Sequence, residues 1–177
     1  MSLSELLDRA TFSVTSPGRV LRLDATMRAV NLVLLADPAA IASRDLEREL
    51  AAVLHSWILT RDRVFRQATA RAREAAGLPE PPPDRGTSRM ADAVSRLEAE
   101  GRSRHGWATV RWTGHDSFDV TIDAVRMRRA KGGELRHELL SAVYSAISDQ
   151  REQYALLRRR TLGRVFAVRD ELRGDRR

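Results

Sequence analysis

The sequence predicts an α+β protein made of two successive strand-strand-helix units. Three observations predict it: short stretches of alternating apolar and polar residues in each half, a long stretch of helical period after each, and a proline-rich run between the halves. The expected division is residues 1–76 for the first unit, 77–87 for the linker, 88–160 for the second unit and 161–177 for a basic C-terminal extension.

In the first half, Val20–Ala25 and Val30–Leu35 read as strands around a short turn, with Phe12–Thr15 as a further strand ahead of them. A helix follows, because Leu46, Leu50, Val53, Leu54, Trp57 and Ile58 recur at helical spacing and the stripe continues to Val64 and Phe65. Its polar remainder includes Arg61, Arg63, Arg66, Arg71 and Arg73. The run from Gly77 to Gly86 holds four of the six prolines, which lack the N–H that a ladder or helix needs, so it reads as a linker.

In the second half, Trp107–Trp112 and Phe118–Ile122 are the matching strands. Val110 and Trp112 share one face, as do Phe118, Val120 and Ile122, while Arg111, Asp119 and Thr121 point the other way. The following stripe passes through Leu135, Leu139, Val143, Ile147, Tyr154 and Leu157 and resumes at Val165, Val168 and Leu172. Gly163 interrupts it and costs about 1 kcal/mol relative to Ala inside a helix, so a bend or an end is expected there. Helices this long project past a small sheet, where they can pack on each other or reach a partner.

The halves repeat. Arg48–Ile58 lies over His137–Ile147 at a constant separation of 89 residues, with Glu49/Glu138, Leu50/Leu139, Ser56/Ser145 and Ile58/Ile147 identical. Val30, Leu32 and Leu34 match Phe118, Val120 and Ile122 at 88, which requires one residue gained in the loop between strand and helix. One small sheet with one helix covers its faces poorly, whereas two such units can bury their apolar faces together. A pseudo-twofold pair is therefore expected, formed within one chain or between chains.

Composition narrows the class further. The chain has 177 residues and 42% hydrophobic content, enough for a packed core, and no cysteine, which excludes disulfides and thiolate-bound zinc. Its N-terminus, MSLSELLDRATFSV, carries acidic residues where a secretory leader has a basic flank, and no stretch approaches a membrane span. A soluble cytoplasmic chain with no membrane partner is the expectation. The net charge is +7, and Lys131 is the only lysine. Residues 1–77 hold 11 basic and 9 acidic residues, 78–150 hold 11 of each, and 151–177 hold 9 and 4, so the excess is mostly C-terminal.

The residues offer no catalytic constellation. His137-Glu138 begins like a zincin motif, but Ser141 stands where the second histidine must bind the metal. His55, His105, His115 and His137 lack metal-ligand spacing, and no phosphate-cradling glycine loop or nucleophile elbow is present. A non-enzymatic protein without metal or cofactor is expected. Trp57, Trp107 and Trp112 read as core or sheet-face residues, and Trp112-Thr-Gly114 as a turn. Two basic segments remain: Arg126, Arg128, Arg129 and Lys131 in a loop between strand and helix, and Arg158, Arg159, Arg160 and Arg164 on the late helix. These segments read either as a solvated helix face with a flexible basic end or as contacts to phosphate, which position a protein on nucleic acid without reading bases.

The run Val110, Trp112, Gly114, Phe118, Val120, Ile122-Asp123, Glu134-Leu135, Leu139 and Ala142 resembles the YbaB/EbfC family of small nucleoid-associated proteins. In the first half the same pattern is carried by Gly18, Val20, Leu32, Leu34, Asp37-Pro38, Asp45-Leu46, Leu50 and Val53. The resemblance covers most of residues 12–70 and 89–158. It implies helix-flanked antiparallel sheets that dimerise, and protruding helices that bind DNA with little sequence preference. Here both copies share one chain, so a pseudo-dimer would replace the homodimer, and the leading helix of the first copy, Leu3–Arg9, is short. DNA of the nucleoid is thus the expected partner, held by Arg126, Arg128, Arg129, Lys131, Arg158, Arg159, Arg160 and Arg164 on the second copy. Divergent actinobacterial relatives resemble accessory proteins of type VII secretion, which gives a second expectation: an adaptor that binds a protein partner. Association of copies through the long helices is a further expectation.

Overall fold

The computed structural model describes residues 2–79 and 87–174, the side chains of 87–90 and 161–174 excepted. Residues 80–86 of the expected linker and 175–177 of the extension, with Arg176 and Arg177, lie outside the described residues.

Local chemistry sets each element. Helix α1, Leu3–Arg9, starts at a capping box in which Ser2 Oγ accepts from Glu5 N and Glu5 Oε2 accepts from Ser2 N. Strands β1 (Thr11–Thr15), β2 (Leu21–Thr26) and β3 (Val30–Leu34) then form an antiparallel sheet in that order. Helix α2, Ser43–Ala75, ends where Gly77, at φ +63°, lets Leu78 N and Gly77 N turn back onto Arg73 O and Glu74 O.

The second half repeats the order: α3 (Thr87–Val94), then β4 (Glu98–Arg102), β5 (Ala108–Thr113) and β6 (Ser117–Ile122) as a second antiparallel three-stranded sheet, then α4 (Ala124–Arg129) and α5 (Gly132–Gly174). The chain is therefore α+β, with two such sheets and two long helices.

Equivalent hydrogen bonds recur in the two halves. Ahead of β2, Ser16 Oγ accepts from Val20 N and Leu21 N; ahead of β5, Ser103 Oγ accepts from Trp107 N and Ala108 N. Both serines are buried, so each hydroxyl replaces the water that these main-chain donors lose. Three residues after each serine the backbone turns left-handed, at Arg19 (φ 54°) and Gly106 (φ 70°). Glycine takes this conformation freely, whereas Arg19 bears a cost of about 1 kcal/mol.

One continuous core joins both halves. Helix α2 lies on β1 and β2 and also on β6, while α5 lies on β4 and β5 and also on β3. Each long helix thus covers two strands of its own half and the third strand of the other. Glu47 on α2 accepts from Ile122 N on β6 at 2.8 Å, and Trp57 on α2 meets Trp112 on β5 edge-on at 6.3 Å. Large side chains such as Leu21, Leu32, Leu50, Ile58, Leu135 and Leu139 are almost wholly buried. Each contributes about 1.5–3 kcal/mol, so separating the halves would forfeit part of both covers.

Four elements depart from the sequence expectation in whole or in part. Strand β4, with sequence EAEGR, has no β-branched or aromatic residue and was not anticipated, nor was α3. Its small residues serve packing instead: a Cβ on Gly101 would collide with the α5 backbone at Ala142 and Ala146. Arg126, Arg128 and Arg129 lie on α4 rather than in a loop, because Asp123 Oδ1 caps Val125 N and Arg126 N and buried Met127 anchors the turn. Finally, α5 runs through Gly163 without ending.

Candidate nucleic-acid interface

The two long helices outrun their sheets. Helix α5 has 43 residues and so is about 64 Å long, whereas a six-residue strand spans about 20 Å. Beyond Ala146 no described residue of α5 is buried. Helix α2 is buried as far as Ile58 and thereafter only at Ala68.

The first basic group sits where α4 meets α5. Arg126, Arg128, Arg129 and Lys131 are all exposed. Arg126 is the least available: Nη1 donates to His105 O at 2.7 Å and Nε lies 3.5 Å from Asp123. The main-chain N–H groups of Arg126 and Val125, with the Arg126 charge, hold the Asp123 carboxyl below its ordinary range despite the opposing effect of desolvation. Arg128 Nε donates only to Ala124 O, and the side chains of Arg129 and Lys131 have no partner among the described residues. Lys131 instead starts α5, with its main-chain N–H donating to Glu134 Oε2 at 3.0 Å.

The second group, Arg158, Arg159 and Arg160, is on the projecting part of α5. All three are exposed and none has an ion pair or hydrogen bond among the described residues. Successive helical residues are about 100° apart, so the three guanidinium groups fan over more than half the helix circumference. Arg164 follows on the same helix, and its side chain lies outside the described residues.

The two groups are not one patch. Between Lys131 and Arg158 the helix advances 27 residues, a rise of about 40 Å. A straight duplex crossing both would have to run along α5. Sequence reading also missed a third group, Arg28, Arg61 and Arg151, whose members converge on one cleft through tertiary packing alone.

Three of the four histidines are engaged in acid contacts that tie helices to turns. His105 Nδ1 lies 2.7 Å from Glu138 Oε1, His115 Nε2 lies 2.5 Å from Asp62, and His55 Nδ1 lies 3.4 Å from Asp116. Among the described residues no group of three or more His, Asp or Glu is placed to hold a metal ion, and no helix is long and apolar enough to cross a membrane. Compared with protein-family models, curated proteins and solved structures, the chain matches none.

Proposed function

We propose that this chain is a non-enzymatic, nucleoid-associated protein of YbaB/EbfC-like type, two copies fused into a pseudo-dimer, that holds DNA through its phosphate backbone. The duplication is supported by the shared order of helix, three antiparallel strands and long helix, and by the serine turns that recur 87 residues apart. The DNA reading rests on one observation above all, the exposed arginines Arg158–Arg160 on the projecting part of α5, which have no partner among the described residues. Such groups bind phosphate and position a protein without reading sequence. Arg128, Arg129 and Lys131 form a second contact point. Two short duplexes of unrelated sequence should bind with the same affinity, and replacing Arg158, Arg159 and Arg160 by Gln should weaken both equally. A strong preference for one sequence, or no effect of the triple replacement, contradicts the proposal.

A second reading has its own observation. Phe65, Tyr154 and Leu156 are between 41 and 46% exposed on the outlying parts of α2 and α5. Apolar groups there suit a protein partner, as an adaptor would require, or a second copy of the chain. A nuclease-resistant complex lost on replacing Phe65 and Tyr154 by Ser would favour this reading.

A further inference from the structure

Each three-stranded sheet has two edge strands, and the register shows where the main-chain groups of all four edges point. On β3 the N–H and C=O of Val30 are held by the Tyr144 hydroxyl. On β4 the N–H of Glu100 donates to Asp149 at 2.8 Å, and on β6 that of Ile122 donates to Glu47 at 2.8 Å. Each of these edges is thus engaged by a side chain of a long helix. Strand β1 is the exception.

Beside β1, Ser16 N donates to Leu21 O. Antiparallel alternation from that bond turns Val14 and Phe12 toward Leu23 and Ala25, and it points the main-chain groups of Thr11, Ser13 and Thr15 outward. All three residues are exposed, and no described group bonds their N–H or C=O. Two differences between the halves leave this edge open. Helix α5 comes close to β4 only because Gly101 has no side chain, and the position 87 residues earlier, on β1, is Val14. The acceptor Asp149 is replaced, 89 residues earlier on α2, by Thr60. Helix α1 packs on α2 and is tied to the β2–β3 turn by Asp8 and Arg28 at 2.7 Å, with no hydrogen bond to the β1 edge.

An open edge is a template for another strand, and proteins blunt it with charge, proline or a bulge. Thr11–Thr15, with sequence TFSVT and an unbroken register, has none of these. It is also self-complementary. Paired antiparallel about Ser13, two such strands set Ser13 opposite Ser13 and Thr11 opposite Thr15, all of them outward-bonding positions, and Phe12 opposite Val14. The hydrogen-bonded pairs exchange two bonds each, about six in all. Phe12 and Val14 are half-buried on the inner face, where an aromatic and a β-branched side chain meeting across strands cover each other. No charge on β1 opposes another, and Arg22 and Asp24 on the neighbouring strand pair with each other at 2.9 Å. The same arrangement of β4 would set Glu100 against Glu100.

We propose that β1 is the docking edge for a second copy of this chain, whose own β1 adds antiparallel about Ser13 and joins two three-stranded sheets into one. This contact is separate from the arginines of α4 and α5 and from the outlying apolar residues of the long helices. It holds whether or not the chain binds DNA.

The test is sedimentation equilibrium of the full chain from low micromolar to near millimolar concentration, with cysteine crosslinking to fix the register. The parent should pass from monomer to dimer. Ser13→Lys sets like charges face to face, and Ser13→Pro removes a donor that only the second copy uses. Each should weaken the dimer by about tenfold or more. Asn31→Lys, on the same outer sheet face but on β3, should leave it unchanged, as should replacing Phe65 and Tyr154 by Ser. Residues in a hydrogen-bonded pair have Cα atoms about 5.5 Å apart, within disulfide reach, and the chain has no cysteine of its own. Ser13→Cys should therefore crosslink on mild oxidation, whereas Thr11→Cys and Thr15→Cys should crosslink only when mixed. A chain that stays monomeric, a dimer that Ser13→Lys and Ser13→Pro leave at full strength, or no crosslink through Ser13→Cys would each overturn the proposal. Loss of the dimer on replacing Phe65 and Tyr154 would overturn it in favour of the long helices.

Discussion

Glu49 and Glu138 hold the same hydrogen bond in the two halves: each carboxylate, early in a long helix, accepts a main-chain N–H from the turn ahead of the second strand. Glu49 Oε2 takes Gly18 N at 2.8 Å and Glu138 Oε2 takes His105 N at 3.1 Å. The donors are 87 residues apart and the acceptors 89, the difference being absorbed between sheet and helix. Glu138 is only 3% exposed and also meets the His105 ring.

That contact makes stability depend on pH. Burial alone would raise the Glu138 carboxyl, but hydrogen bonds from Ser103 and His105, with the His105 charge, outweigh it and hold the group below its ordinary 4.5. A carboxyl depressed by folding stabilises the fold fully above its unfolded value and loses that contribution as pH falls through the folded value. Glu138→Gln should therefore cost about 1–3 kcal/mol at pH 7, and the gap to the parent should shrink below pH 4.5. Urea midpoints at neutral and acid pH measure this; a pH-independent gap would contradict it.

Gly101 should tolerate no side chain. Its missing Cβ is where the α5 backbone passes at Ala142 and Ala146, and backbone cannot move aside as a flexible side chain can. Gly101→Ala should cost about 3 kcal/mol or more. Gly133→Ala, with open space around it near the start of α5, should be neutral or slightly stabilising. Thermal melts of the two variants side by side check the contrast.

Tyr144 protects the free edge of β3. Its hydroxyl accepts from Val30 N at 3.2 Å and donates to Val30 O at 2.7 Å, so an α5 side chain satisfies edge groups of the other half's sheet. Tyr144→Phe should cost about 1–2 kcal/mol. It should also speed amide exchange at Val30 before exchange at Leu23 in the central strand rises.

Much of this fold was legible because periodicity reports burial. The alternation at Val110, Trp112, Val120 and Ile122, and the spacing of Leu46, Leu50, Val53 and Ile58, name residues that are indeed buried. Strand β4 was illegible because its composition answers to the close approach of α5, a contact of residues more than 40 apart in the chain. The burial of Met127 that anchors α4 is likewise a tertiary feature, in a stretch that reads as a charge run, whereas its Asp123 cap is local. Within the candidate interface, sequence gave the exposed cations but not their separation along α5. It could not reveal the cleft of Arg61 and Arg151, where charges are brought together only by packing α2 and α5 around one turn.

The measurement closest to the central claim is a titration of duplex DNA into the full chain, by fluorescence anisotropy, at roughly 50 and 200 mM salt. Neutralising about four phosphates predicts a fall in affinity of about 100-fold between the two. Replacing Arg158, Arg159 and Arg160 by Gln should flatten that dependence. No binding at the lower salt, or binding that salt does not weaken, would contradict the account.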